Sequence, residues 1–136
     1  MTLGVGVDII AIARMREIID GPGRQPFLKK VFTPDEVVRA EAHSDPVVYF
    51  AKTFAAKEAI FKTFSIDWES GVQFNEIDVT DGQFGEPVPV LSGRFAALAA
   101  ERNATRVHLS LSYDGDYAIA MAVLSSGEPA AGNQFM

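Results

Sequence analysis

Apolar positions along the chain recur in two rhythms, and the switch between them marks the elements. Residues 3–12, LGVGVDIIAI, are β-branched and apolar with glycines at 4 and 6, and read as a buried strand ending near Asp8. Residues 13–20 have the spacing of a short helix closed by Gly-Pro-Gly at 21–23, and residues 27–32 are mildly helical. FTPDEVVRAEA, residues 32–42, carries a fuller helix signal. Thr33 is the N-cap, Pro34 the first helical position, and Asp35 and Glu36 fill the first turn, with Glu36 completing a capping box. After a break at HSDP, the longest helix is predicted from about Val47 to Phe64.

Downstream, SIDWESG reads as a loop, and VQFNEIDVTD (72–81) alternates as a half-buried strand does. A turn and second strand follow to Leu91, then an alanine-rich helix over 92–103. RVHLSLSYD and YAIAMAVL, joined through a tight DGD turn, predict a hairpin. The order of elements predicts an α+β fold, an antiparallel sheet packed on a long helix. Residues 1–124 make a single domain, and 125–136 read as a loose C-terminal tail.

Composition narrows the function classes. No run approaches the ~18 apolar residues of a membrane span, the N-terminus lacks a signal-peptide layout, and there is no cysteine. A cytoplasmic protein without disulfides is expected. The net charge of −6 argues against general nucleic-acid binding. It is unevenly spread: residues 1–62 hold nine Lys/Arg against eight acids, and residues 63–136 three against ten. The more basic half suits an anionic partner or a phosphate-bearing ligand, or is ordinary surface charge.

The long helix poses the sharpest question. Phe50, Phe54, Glu58 and Lys62 lie four apart and share a face. Phe50 and Phe54 should face the core, so the row carries a carboxylate from the core edge outward. A buried carboxylate needs a partner. Lys62, one turn on, is the simple one. A second carboxylate, Asp8, ends an otherwise apolar strand, and two such groups can share Mg²⁺ together with waters and substrate phosphates. Lys57 and Lys62 would then counter phosphate charge. His108 reads as a sheet residue and His43 as a solvent-exposed loop residue. Trp68 either caps the core or gates a site.

GVGVDII followed by Arg14, FTPDE, FAAKEAIFKTF, a GEP turn and HLSLSYDGDYAIAMAV occur in the order found in the holo-acyl-carrier-protein synthases. Over about residues 3–124 the chain resembles these small 4′-phosphopantetheinyl transferases. The resemblance implies their fold, transfer of phosphopantetheine from coenzyme A to a serine of an apo acyl carrier protein, Mg²⁺ at the pyrophosphate, and a homotrimer with sites between subunits. Such enzymes serve fatty acid or polyketide biosynthesis. Carried over by position, Asp8 and Glu58 match the metal ligands and Lys62 the lysine that meets the phosphates. Arg14 matches a basic residue that docks the carrier protein. Lys57, Thr53, Ser65, Gly85 and Pro87 fall at positions implied to border coenzyme A.

The chain departs from the family pattern at Thr53, where an arginine is usual, and at Ser65 and Asp67, where glycines are usual. Tyr113 stands where many members have histidine. A threonine cannot make bidentate phosphate contacts, and Asp67 and Glu69 place like charge where an anion should bind. Two further readings therefore stand beside the transferase. One is a member that no longer uses coenzyme A and acts on a carrier-tethered intermediate as a cyclase, dehydratase or isomerase. The other is a non-catalytic carrier-protein-binding module.

Overall fold

Helix α4, Pro46–Thr63, is the axis of the molecule in the computed structural model, which describes residues 1–128 and Phe135. It starts one residue earlier than the apolar pattern alone suggests, because Asp45 accepts a hydrogen bond from the Val48 backbone and Pro46 occupies the first turn. The helix lies on a three-stranded antiparallel sheet of order β1-β5-β4, formed by Thr2–Ala11, Tyr117–Ser125 and Arg106–Tyr113. Small residues line the junction. Ala51, Ala55 and Ala59 of α4 and Ala118, Ala120 and Ala122 of β5 are fully buried. Gly4 and Gly6 bring β1 still closer: a Cβ on Gly6 would sit 2.0 Å from the Ala59 carbonyl oxygen.

Strand β1 corrects one expectation. It does not end near Asp8 but continues to Ala11, paired throughout with β5, with Asp8 opposite Ala120. Nor is it buried on both sides. Val5, Val7 and Ile9 are each more than half exposed, and across from them Ile119 and Met121 of β5 are also exposed. Alternation puts Gly6 and Asp8 on the helix-facing side and these apolar residues on the other.

Ile12–Ile19 (α1), Arg24–Val31 (α2) and Pro34–Glu41 (α3) precede α4. The capping box at Thr33 and Glu36 forms as predicted. Strands β2, Ile77–Asp81, and β3, Pro87–Leu91, make a separate two-stranded antiparallel ribbon. The strand predicted from Val72 forms only from Ile77. Residues 74–76 make a 3₁₀ turn instead, held by Gln73 N–H donating to the Glu76 carboxylate at 3.0 Å. A second such turn, Trp68–Ser70, sits inside the stretch read as a loop. Helix α5, Gly93–Glu101, leads into the β4–β5 hairpin, where Asp114 accepts from the Asp116 and Tyr117 amides. Within the expected tail, Ser125 still belongs to β5 and Phe135 bridges Leu91; residues 129–134 and 136 lie outside the described residues.

Candidate active site

Glycine packing brings β1 against the last two turns of α4, and this places Asp8 beside Glu58 and Lys62. Lys62 does not pair with Glu58, its neighbour one turn back. Its ammonium turns to the strand, donating to Asp8 Oδ1 at 3.1 Å and to the Val7 carbonyl at 3.0 Å. The other Asp8 oxygen, Oδ2, is buried and has no hydrogen-bond partner. Burial and the negative charge of Asp8 push the Glu58 carboxyl above the ordinary range, and the Lys62 charge partly opposes them. A half-buried carboxylate, a second one with an orphaned oxygen, and a single lysine leave an excess of negative charge. That is the electrostatic condition a hard cation relieves. Among the described residues no third histidine or acid joins them to make a cluster of three metal-ligating groups. The donor set fits an ion such as Mg²⁺, which takes its remaining ligands from water and phosphate oxygens.

Glu58 also faces a cleft of about 610 Å³. Phe27, Phe54, Trp68 and Phe74 wall it, with Lys30 and Gln73 among its polar groups. Trp68 stacks on Phe61 at 4.2 Å with planes 12° apart and meets the Phe74 ring edge-on at 4.9 Å. Phe54, expected in the core, is only partly buried and forms part of this wall. A smaller cavity of about 190 Å³ collects three residues the family pattern singled out, Thr53, Gly85 and Pro87. Lys52, Tyr49 and Asp81 supply its other polar groups. Here Gly85 adopts the left-handed conformation (φ 78°) that the turn before β3 requires.

Lys57 is the clear correction. It was expected beside phosphate and is instead fully buried, as is its partner Glu36, with 2.5 Å between ammonium and carboxylate. The ammonium also donates to the carbonyls of Val31, Phe74 and Ile77 at 2.8, 3.0 and 2.8 Å. No donor remains for a ligand, since an ammonium has three protons and already meets four acceptors. Burial pushes the Glu36 carboxyl up and the Lys57 ammonium down, each opposed by the other's charge. Sequence reasoning took Glu36 as a first-turn helix acid and missed this role. Its capping-box position was legible; its partner, twenty-one residues later on another helix, was not.

Ser65 lies just beyond the Phe64 C-cap of α4, exposed, with φ 51°, the left-handed conformation that glycine adopts most readily. It borders neither cavity. Asp67 caps the Trp68 turn, accepting from the Glu69 amide. Arg14 is exposed on α1. His108 lies on β4 within 3.1 Å of the Ser125 hydroxyl, away from both cavities.

The family profile of the 4′-phosphopantetheinyl transferase superfamily matches residues 4–122. The chain belongs to this superfamily. Within it, the transferase is 39% identical to the holo-[acyl-carrier-protein] synthase of Desulforudis audaxviator, over 90% of this chain and 92% of the relative. Its backbone is similar to the holo-[acyl-carrier-protein] synthase of Neisseria meningitidis, with a TM-score of 0.84 at 30% identity, covering 93% of this chain and all of that one. It is similar also to the synthase of Bacillus anthracis in complex with coenzyme A (3′,5′-ADP), with a TM-score of 0.75 at 30% identity, covering 93% and 99%. The transferase thus shares the α+β fold of the holo-acyl-carrier-protein synthases across the length that the sequence motifs marked out. No helix among its described residues is long and apolar enough to cross a membrane.

Proposed function

We propose that this transferase moves 4′-phosphopantetheine from coenzyme A to a serine of an apo acyl carrier protein, with Mg²⁺ at Asp8 and Glu58. The observation that carries the reading is the orphaned, buried Asp8 Oδ2 next to a Glu58 carboxyl raised by burial and by Asp8's charge, at the edge of the aromatic cleft. The synthase of Bacillus anthracis, so similar in backbone, is described in complex with coenzyme A (3′,5′-ADP).

In this reading the serine oxygen attacks the phosphorus bearing the pantetheine arm. The bond from that phosphorus to the bridging oxygen breaks, and 3′,5′-ADP leaves. The serine proton passes to Glu58, whose carboxyl faces the cleft. A divalent cation, when bound, offsets the charge of the pyrophosphate and of the departing oxygen. Lys62 holds Asp8 in place and adds positive charge where phosphate arrives. The aromatic cleft receives the pantetheine arm, and the Thr53–Gly85–Pro87 cavity the nucleotide end, with Lys52 as its cation. The carrier protein docks on Arg14 and the exposed Lys29 and Lys30 of α2.

The same reading includes a homotrimer working in the cytoplasm. Val5, Val7, Ile9, Ile119 and Met121 form an exposed apolar stripe on the outer face of the sheet, of the kind that subunit contacts cover.

The test is an intact-mass assay with apo carrier protein, coenzyme A and Mg²⁺. A mass gain of one phosphopantetheine, lost in Asp8→Ala, is expected. No gain with several carrier proteins, and no binding of coenzyme A, would sink the assignment and turn the search to chemistry on carrier-tethered substrates.

A further inference from the structure

The buried Lys57–Glu36 pair is bonded to the lining of both cavities. Val31 and Phe74, whose carbonyls accept from Lys57, are walls of the aromatic cleft. Val79, whose amide donates to Glu36 Oε2 at 2.8 Å, lines the smaller cavity. Glu36 Oε1 also accepts from the Thr33 amide at 2.9 Å, which ties in the start of α3. Four segments that are distant in sequence thus converge on one ammonium and one carboxylate. These are the end of α2, the start of α3, the turn before β2, and β2 itself. Lys57 adjoins Glu58 in sequence, so the cleft walls are referenced to the helical turn that carries the reactive carboxylate.

Stability alone does not require an ion pair here. A buried pair contributes little that well-packed apolar side chains could not, because desolvation offsets its attraction. What apolar side chains cannot do is hold three carbonyls and two amides at set distances from one point on α4. Without the pair, those five backbone groups would have to turn toward water or other partners. The cleft would change width while the core remained filled.

We infer that Lys57 and Glu36 are positioning residues for the transfer reaction: they fix the separation of the aromatic cleft and the nucleotide-end cavity relative to Glu58. Neither touches substrate. The inference rests on the transferase reading. It identifies a specific requirement, that both ends of a long, flexible donor be held so that the phosphorus between them falls at Asp8 and Glu58.

The experiment compares wild type with Lys57→Met and Glu36→Gln. It measures kcat, KM for coenzyme A, KM for apo carrier protein and the thermal transition, with all rates taken well below each transition. Lys57→Met keeps the chain length and removes every donor. Glu36→Gln keeps an acceptor for Lys57 but sets an amide N–H₂ against the Val79 or Thr33 N–H. A displacement of the order of 1 Å at the site lowers rate by on the order of 100-fold. That fall in kcat is expected for Lys57→Met and about a tenfold fall for Glu36→Gln, with KM for carrier protein changed by less than about twofold in each. A purely structural pair would lower the transition temperature and leave kcat of the folded protein at the wild-type value, and that result overturns the inference. If Lys57→Met does not fold, Glu36→Gln decides by the same criterion. A wild-type chain that transfers nothing sinks the transferase reading first, and the inference falls with it.

Discussion

Gly6→Ala tests how the site is assembled. The added Cβ would lie 2.0 Å from the Ala59 carbonyl oxygen and 3.0 Å from the Lys62 Cβ. Reaching an ordinary contact of roughly 3.5 Å requires β1 and α4 to part by about 1.5 Å. The obstacle is helix backbone, which cannot rotate away as a side chain would. Overpacking of this kind costs ~1–3 kcal/mol, and the rigid obstacle puts Gly6→Ala near ~3 kcal/mol. For a chain of this size that is a fall of roughly 10 °C in transition temperature. The same parting moves Asp8, two residues along on the same face, away from Glu58 and Lys62. Misplacement by about 1 Å lowers the rate by on the order of 100-fold. Circular dichroism melting and the intact-mass transfer assay read the two effects separately. A Gly6→Ala protein that melts within a degree or two of wild type and transfers at the wild-type rate would refute the view that glycine packing sets the Asp8–Glu58 geometry.

Three other outcomes follow from the site and the surface. The Glu58 carboxyl is raised in the folded protein, so its contribution to stability is full below its unfolded value and is lost as pH rises through the folded one. Glu58→Gln should therefore melt higher than wild type at neutral pH in chelator and lose any gain on adding Mg²⁺; a cation-induced rise that survives the substitution would exclude Glu58 as a ligand. Trp68→Ala removes a stacked and an edge-on aromatic contact from a side chain that is 55% exposed. A stability loss of about 1 kcal/mol and a higher KM for coenzyme A are expected, and an unchanged KM would remove Trp68 from the arm site. Met121→Lys places a charge on the outer stripe opposite Val7. Sedimentation should show a smaller species than wild type, and an unchanged species would remove the outer stripe as a subunit contact.

Much of the architecture was legible because local signals agreed. The Thr33–Glu36 capping box, the Asp-Gly-Asp hairpin turn and the alanine-phenylalanine helix each appear where the pattern puts them. The misses have specific causes. Val72–Glu76 alternates like a strand, but Gln73 and Glu76 close a 3₁₀ turn through their own hydrogen bonds, and the ribbon begins only at Ile77. The first strand reads as uniformly apolar, yet one of its faces is exposed, because an exposed apolar face looks in sequence like the face of a core. Ser65 shows the opposite case. The sequence lacks the expected glycine, and the backbone still takes the glycine conformation there.

Lys57 and Glu58 show where sequence stops and tertiary structure begins. By itself the sequence determined that a charged pair interrupts an apolar helix, that Asp8 sits in an apolar strand, and that the motifs are those of a phosphopantetheinyl transferase. Successive residues on a helix point about 100° apart. The two side chains therefore had to meet different surroundings, but nothing local said which. Only the packing of α3, the turn before β2 and β2 around α4 buried Lys57 against Glu36 and left Glu58 at the cleft. Only the close approach of β1 at Gly6 turned Lys62 from its helical neighbour to Asp8. Those outcomes depend on contacts between residues 17 to 54 positions apart, where the energies of burial and pairing are decided by the fold as a whole.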